Sequence, residues 1–151
     1  MAGHGFMFDV TVPQLPAGVD QAALGVDANG KFAQADLNKL VKLAANNNYV
    51  LIADGNDIEG VVIAVEGHTV NNGFSFGSVA VRFKHLKVTV SGGALAVGAT
   101  VVGAAQAALG TSQAYPVVKA GAGSVFKWRV KSLLTGTGQV GEQVLIEPLT
   151  R

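Results

Sequence analysis

The residues best suited to chemistry lie in one short stretch. Asp54-Gly55-Asn56-Asp57-Ile58-Glu59 sets three carboxylates and one amide within six residues. Hard cations take oxygen ligands of this kind, so a calcium site is one reading. The helix-flanked calcium loop wants glycine at its sixth position and a late glutamate, and this stretch supplies neither. A solvated turn whose Asp and Asn side chains accept hydrogen bonds from nearby backbone is the simpler reading. Asp57 and Glu59 share one face of an extended chain by their spacing, but both lie beside a turn.

A second stretch, Gly136-Thr137-Gly138-Gln139-Val140-Gly141, fits the glycine pattern of dinucleotide-binding loops. That pattern works when a helix follows and an acid lies about 20 residues on. Only ten residues follow Gly141, and they read as a strand. The predicted element is a hairpin loop. His4, His68 and His85 are isolated and fit no metal-ligand spacing. Ser75, Ser78, Ser91, Ser112, Ser124 and Ser132 lack the strand–turn–helix context of an activated nucleophile. Lys127, Arg129 and Lys131 form a basic row, and Arg82, Lys84 and Lys87 add cations elsewhere. These read as solvent faces of strands, with contact to an acidic protein surface as the sharper alternative. No constellation for acid–base or nucleophilic catalysis emerges, so no enzyme and no cofactor or metal is expected.

The elements that position these residues are mostly strands. The chain has 151 residues, which suits one core, and 49% are apolar. Charged residues make up 14%, and 11 basic side chains face 10 acids. Such a balance argues against nucleic-acid binding and leaves little repulsion between copies. With no cysteine, disulfides, thiolate zinc sites and cysteine nucleophiles are excluded. The N-terminal residues MAGHGFMFDV carry no basic region followed by an apolar one, so no secretory signal is expected.

Residues 6–12 alternate, with Phe6, Phe8, Val10 and Val12 on one face, and read as a strand. Residues 13–33 are rich in Pro, Gly, Ala and Asp and read as an extended arm or long loop, with a turn at Asp27-Ala28-Asn29-Gly30. Leu37, Leu40, Val41 and Ala44 recur at helical spacing, which predicts one amphipathic helix near 36–46 capped by Asp36. Strands are predicted at 49–53, 60–66, 77–90, 125–133 and 143–147, with a hairpin turn at Asn72-Gly73. Phe126, Trp128 and Val130 are expected to face inward. The fold class is therefore mainly β: a small barrel or sandwich-like domain with one helix (34–151), preceded by an N-terminal strand and extended arm (1–33).

One run resembles a membrane span. Residues 92–110 read GGALAVGATVVGAAQAALG, and no charge occurs between Lys87 and Lys119. Five of its 19 residues are Gly and seven are Ala, which favour insertion far less than Leu or Phe. No membrane partner is expected. The run parses as two short strands, 94–97 and 100–103, around a turn at Gly98-Ala99. Leu95, Val97, Val101, Val102 and Ala105 are candidates for core or for contact between subunits.

Four stretches carry a family resemblance. They are Ile58-Glu59-Gly60 before a strand, Leu95-x-Val97-Gly98-x-x-Val101-Val102-Gly103, Trp128-x-Val130, and Gly141-Glu142-x-Val144-x-Ile146-Glu147. In this order, over residues 49–149, the chain resembles the small head-decoration (cement) proteins of tailed bacteriophages. The resemblance implies a small β-rich fold and a homotrimer on the outer surface of the virion capsid. Made in the host cytoplasm, it would brace joints between copies of the major capsid protein, with no chemistry. Phe6, Phe8, Val10 and Val12 are then candidate capsid contacts, since an extended arm can add a strand to a neighbour's sheet. Two rivals stand beside it. One is a small β-barrel enzyme or ligand-binding domain whose site, drawn from Asp54, Asp57, Glu59 or the histidines, forms only in three dimensions. The other is an adhesive surface protein.

Overall fold

Two closed rings of strands divide the chain between them. The computed structural model describes residues 8–9, 19–24, 26–27, 30–31, 34–44, 49–65, 75–81, 84–105 and 115–149. The first ring uses β2 (Val19–Leu24), β5 (Leu40–Leu43), β6 (Tyr49–Leu51), β7 (Gly60–Val65) and β8 (Ser75–Ala80). It closes as a barrel in the order β2-β6-β5-β7-β8. The second uses β9 (His85–Val90), β10 (Thr100–Gly103), β11 (Val117–Ala120), β12 (Trp128–Leu133) and β13 (Gln143–Pro148). Its order is β9-β11-β10-β12-β13, and the β9–β13 pairing joins the ends. The short β1 (Phe8–Asp9) pairs antiparallel with β9, Phe8 opposite Leu86 and Asp9 opposite His85. The pair β3 (Val26–Asp27) and β4 (Gly30–Lys31) forms a separate two-stranded ribbon, as the turn signal at 27–30 predicts.

The apolar patterning explains how the rings stack. In β7, Val61 and Val62 are both fully buried. Val62 joins Val41, Tyr49, Val65 and Val79 in one cluster. Val61 joins Leu40, Ala80 and the interior residues of the second ring in another. Strands β5, β7 and β8 thus bury both faces, and a strand covered twice reads as a continuous apolar run. Strand β12 is covered once: Trp128 and Val130 are buried while Arg129 and Lys131 are exposed, so it alternates.

That double burial accounts for the main difference from expectation. No helix forms over the described part of 36–46. Gln34–Asp36 makes a single 3-10 turn, Asn38 takes a left-handed φ of 68°, and the chain then enters β5. Leu40 and Val41 point into different clusters, so their apparent helical stripe is two faces of one strand. The turn is held by Lys39 Nζ on Asp36 Oδ1 at 2.6 Å and by Asn38 N donating to Val62 O at 2.8 Å.

Other expectations shift as well. Residues 19–24, read as arm, are barrel strand β2, paired along its length with β8. The strand predicted at 77–90 is split, because β8 and β9 belong to different rings. Residues 94–97 are loop rather than strand: Leu95 N donates to Gly138 O and Gly98 N to Val130 O, both at 2.8 Å. The turn at Gly98 (φ 88°) and the strand after it follow the prediction. Phe126 is 47% exposed rather than inward, because regular pairing begins only at Trp128 opposite Pro148. Residues 45–48, 66–74 and 106–114 lie outside the described residues, and the Asn72-Gly73 turn and His68 with them. No helix among the described residues is long and apolar enough to cross a membrane.

Candidate functional site

The acids that suggested chemistry are used to fasten loops. Residues 57–60 lead into β7 and touch both rings. Asp57 reaches across to the loop after β11. Its carboxylate accepts from Ser124 N at 2.8 Å, Ser124 Oγ at 2.9 Å, Val125 N at 2.7 Å and Phe126 N at 3.1 Å. Burial alone would raise its pKa. The hydrogen bonds from Val125, Ser124 and Phe126 outweigh that and hold it at about 2. Ile58 is buried, and its carbonyl accepts from Trp128 Nε1 at 3.2 Å. Glu59 Oε2 accepts from Leu43 N at 3.0 Å. Asp54 pairs with Lys119 and accepts from Ala105 N, and the Lys119 hydrogen bond lowers its pKa despite some desolvation. Asn56 Oδ1 accepts from Ala53 N at 3.0 Å, the side-chain turn bond the composition predicts.

The glycine loop binds an anion, but one of its own. Between β12 and β13, Thr137 N and Gln139 N donate to Glu142 Oε2 at 2.8 and 2.9 Å. The Gln139 hydrogen bond leads the lowering of the Glu142 pKa, over desolvation and with help from Thr137 and Gly138. Gly136, Gly138 and Gly141 all take positive φ. Consecutive backbone N–H groups in such turns form an anion-binding nest. Here the nest is filled by the side chain that ends the hairpin, which removes it as a phosphate cradle. A Cβ on Gly138 would run into the Leu95 carbonyl. Gly138→Ala is therefore expected to destabilise by at least about 1–2 kcal/mol, the left-handed backbone cost alone, read as a lower urea midpoint.

The loop that Asp57 fastens carries an apolar tip. Val125 is 69% exposed, and Leu149, exposed at the end of β13, donates its N–H to Lys127 O beside it. A groove of about 390 Å³ runs under this loop, lined by residues 55–57 and 119–124 with Val102. Its carboxylate, Asp57, and its amine, Lys119, are already engaged, the latter by Asp54, and no group of three or more metal-ligating side chains occurs among the described residues.

Beside the tip lies a charged cluster on the outer face of β12 and β13. Glu147 binds Arg129 at 2.7 Å and lies 3.9 Å from both Lys131 and His85. Its pKa is lowered chiefly by the Arg129 hydrogen bond, against burial and with the charges of Arg129, Lys131 and His85. Lys131 Nζ also meets His85 Nε2 at 2.5 Å.

The candidate contact residues separate cleanly. Leu95, Val101 and Val102 are buried in the chain's own core. Val97 is 61% exposed, and Ala105 is half-buried beside Asp54. Phe8 lies in β1, while Phe6, Val10, Val12 and His4 lie outside the described residues. Sequence reading missed Glu142 and Glu147 as organising groups. The loop–Glu142 link is local and could have been found from a Glu directly following the glycine loop. Asp57 and Ser124 are 67 residues apart, and nothing local signals their pairing.

No family model, no curated protein and no solved structure matches this chain.

Proposed function

We propose that this chain is a head-decoration protein of a tailed bacteriophage, acting as a homotrimer on the outer surface of the capsid and carrying out no chemistry. One observation carries the reading. The four stretches behind the family resemblance, spread over 90 residues of sequence, make one contiguous unit. Residues 95–103 supply β10, which pairs with β12 at Thr100–Arg129 and Val101–Trp128. Strand β12 pairs with β13, the Gly141–Glu147 stretch. Ile58 of the remaining stretch is joined to Trp128. The adjacency of these stretches in one packing unit is what supports the reading.

In this reading residues 19–24 are no part of the arm, since β2 belongs to the barrel. Phe6, Val10 and Val12 contact the major capsid protein, while Phe8 is held opposite Leu86 of the chain's own β9, and three tethered contacts add avidity without new chemistry. Light scattering should return three times the 15.4 kDa chain mass, and the protein should co-sediment with expanded heads of its own phage. Deleting residues 1–12 should lower head occupancy at least tenfold. A monomer that leaves heads bare would sink the proposal. Val97 is the cleaner probe of the trimer contact, because an acid at Ala105 would also face Asp54. Val97→Asp is expected to give monomers with an unchanged melting temperature.

A further inference from the structure

The strongest unassigned feature is the outward face of β9, β13 and β12. Leu86, Val88, Val144, Ile146, Trp128 and Val130 are buried inside the ring. The alternate residues point out, and the registers set them side by side: Leu145 is opposite Lys87, and Glu147 is opposite Arg129. Lys127, just before β12, and Lys131, at the register shift within it, flank Arg129, and all three are exposed. Four cations, Lys87, Lys127, Arg129 and Lys131, thus share this side of the ring with two acids, Glu147 and, by its register opposite His85, Asp9. With His85 neutral the four cations exceed the two acids by two, on a chain whose total is only +1. The charge of the molecule is balanced as a whole and polarised in space.

Glu147 does not cancel this field. It serves Arg129 closely and Lys131 and His85 at longer range, while Lys127 has no carboxylate partner among the described residues. The cations are interleaved with apolar groups: Leu145 half-buried, Leu149 exposed, and the tip at Val125 and Phe126 at one end. The tip is held in place by Asp57 through three consecutive backbone N–H groups. A pre-ordered apolar anchor loses little conformational entropy on binding.

We propose that this face, with the Val125–Phe126 tip, is a docking surface for an acidic protein surface that offers apolar pockets between its carboxylates. The interleaving decides the class of partner. Protein interfaces combine apolar anchors with a complementary charged rim. A duplex phosphate backbone would engage the cations and leave the apolar groups between them without a partner. The ring beside Lys87, Tyr115, is already covered by that side chain at 4.4 Å. The inference rests on the decoration reading only for the identity of the partner, which would then be the outer surface of the major capsid protein.

The test uses the full chain and a labelled peptide of repeated Glu-Glu-Leu, with poly-glutamate and duplex DNA as comparisons. The peptide should bind at least tenfold more tightly than either. Binding should collapse near 1 M salt, where the Debye length falls to about 3 Å. The double variant Lys127→Glu with Lys131→Glu should weaken peptide binding at least tenfold at an unchanged melting temperature. Phe126→Ser should remove the preference over poly-glutamate, and Lys42→Glu, on the other ring, should change nothing. Equal binding by the double variant overturns the proposal, as does DNA binding more tightly than the peptide. Co-sedimentation with heads separates the two readings. If the wild type and the double variant occupy heads equally, the face is wrong and the decoration reading stands. If the wild type binds the peptide and no heads, the face stands and the decoration reading fails.

Discussion

Trp128→Ala is expected to lower the unfolding free energy by about 3–5 kcal/mol, the usual range for emptying a buried aromatic site. Domains of this kind are stable by only about 5–15 kcal/mol, so this variant should be close to unfolding. Trp128 is 7% exposed and packs in the cluster that contains residues of both rings. It also donates to the buried Ile58 carbonyl at 3.2 Å, which ties the second ring to the segment entering β7. Trp128→Phe separates the two contributions. It keeps most of the apolar volume and leaves the carbonyl without its partner, at a cost of about 1–3 kcal/mol. Equal losses in the two variants would mean that the hydrogen bond, not the packing, holds the rings together. Because Trp128 is the sole tryptophan, both variants lose the fluorophore. Their urea transitions should be followed by circular dichroism.

The sequence disclosed strands more readily than it disclosed which strands share a ring. Strands β7, β12 and β13 were legible because their patterns are local: a β-branched run, and two alternating runs joined by a glycine loop. The helix near 36–46 was misread for a definite reason. Apolar residues at 37, 40, 41 and 44 satisfy a helical stripe and equally a strand buried on both faces, and only the presence of a second ring decides between them. Small-residue content did not mark 94–97 as loop, because its bonds go to Gly138 and Val130, far along the chain. The same holds for the candidate surface. The basic row at 127, 129 and 131 was visible by its period of two. Its extension to Lys87 depends on the β9–β13 register, which no spacing in the sequence encodes. Asp57 drew notice as a possible ligand, yet its four bonds run to residues 124–126.

Those bonds make Asp57 the second sensitive position. Asp57→Ala is expected to cost about 2–3 kcal/mol, since hydrogen bonds to a charged acceptor contribute more than neutral ones and water replaces part of what is lost. The pH dependence follows from the direction of the shift. The folded-state pKa of about 2 lies below the ordinary value of 3.8. The contribution is therefore complete above the ordinary value and is lost as the pH falls through the folded value. It amounts to at most about 2–3 kcal/mol, reduced by solvent screening because the carboxylate is only partly buried. Wild type and Asp57→Ala should therefore differ most at neutral pH, and their urea midpoints should converge as the pH approaches about 2. A gap that stays constant across this range would mean that the Asp57 charge contributes nothing and that the loop is held by packing alone. Asp57→Asn refines the point. It keeps the size and one acceptor oxygen but removes the charge, so it should retain part of the stability and none of the acid dependence. If the loop needs the anion to present Val125 and Phe126, both variants should also weaken binding of the acidic peptide, even though neither residue belongs to the basic face.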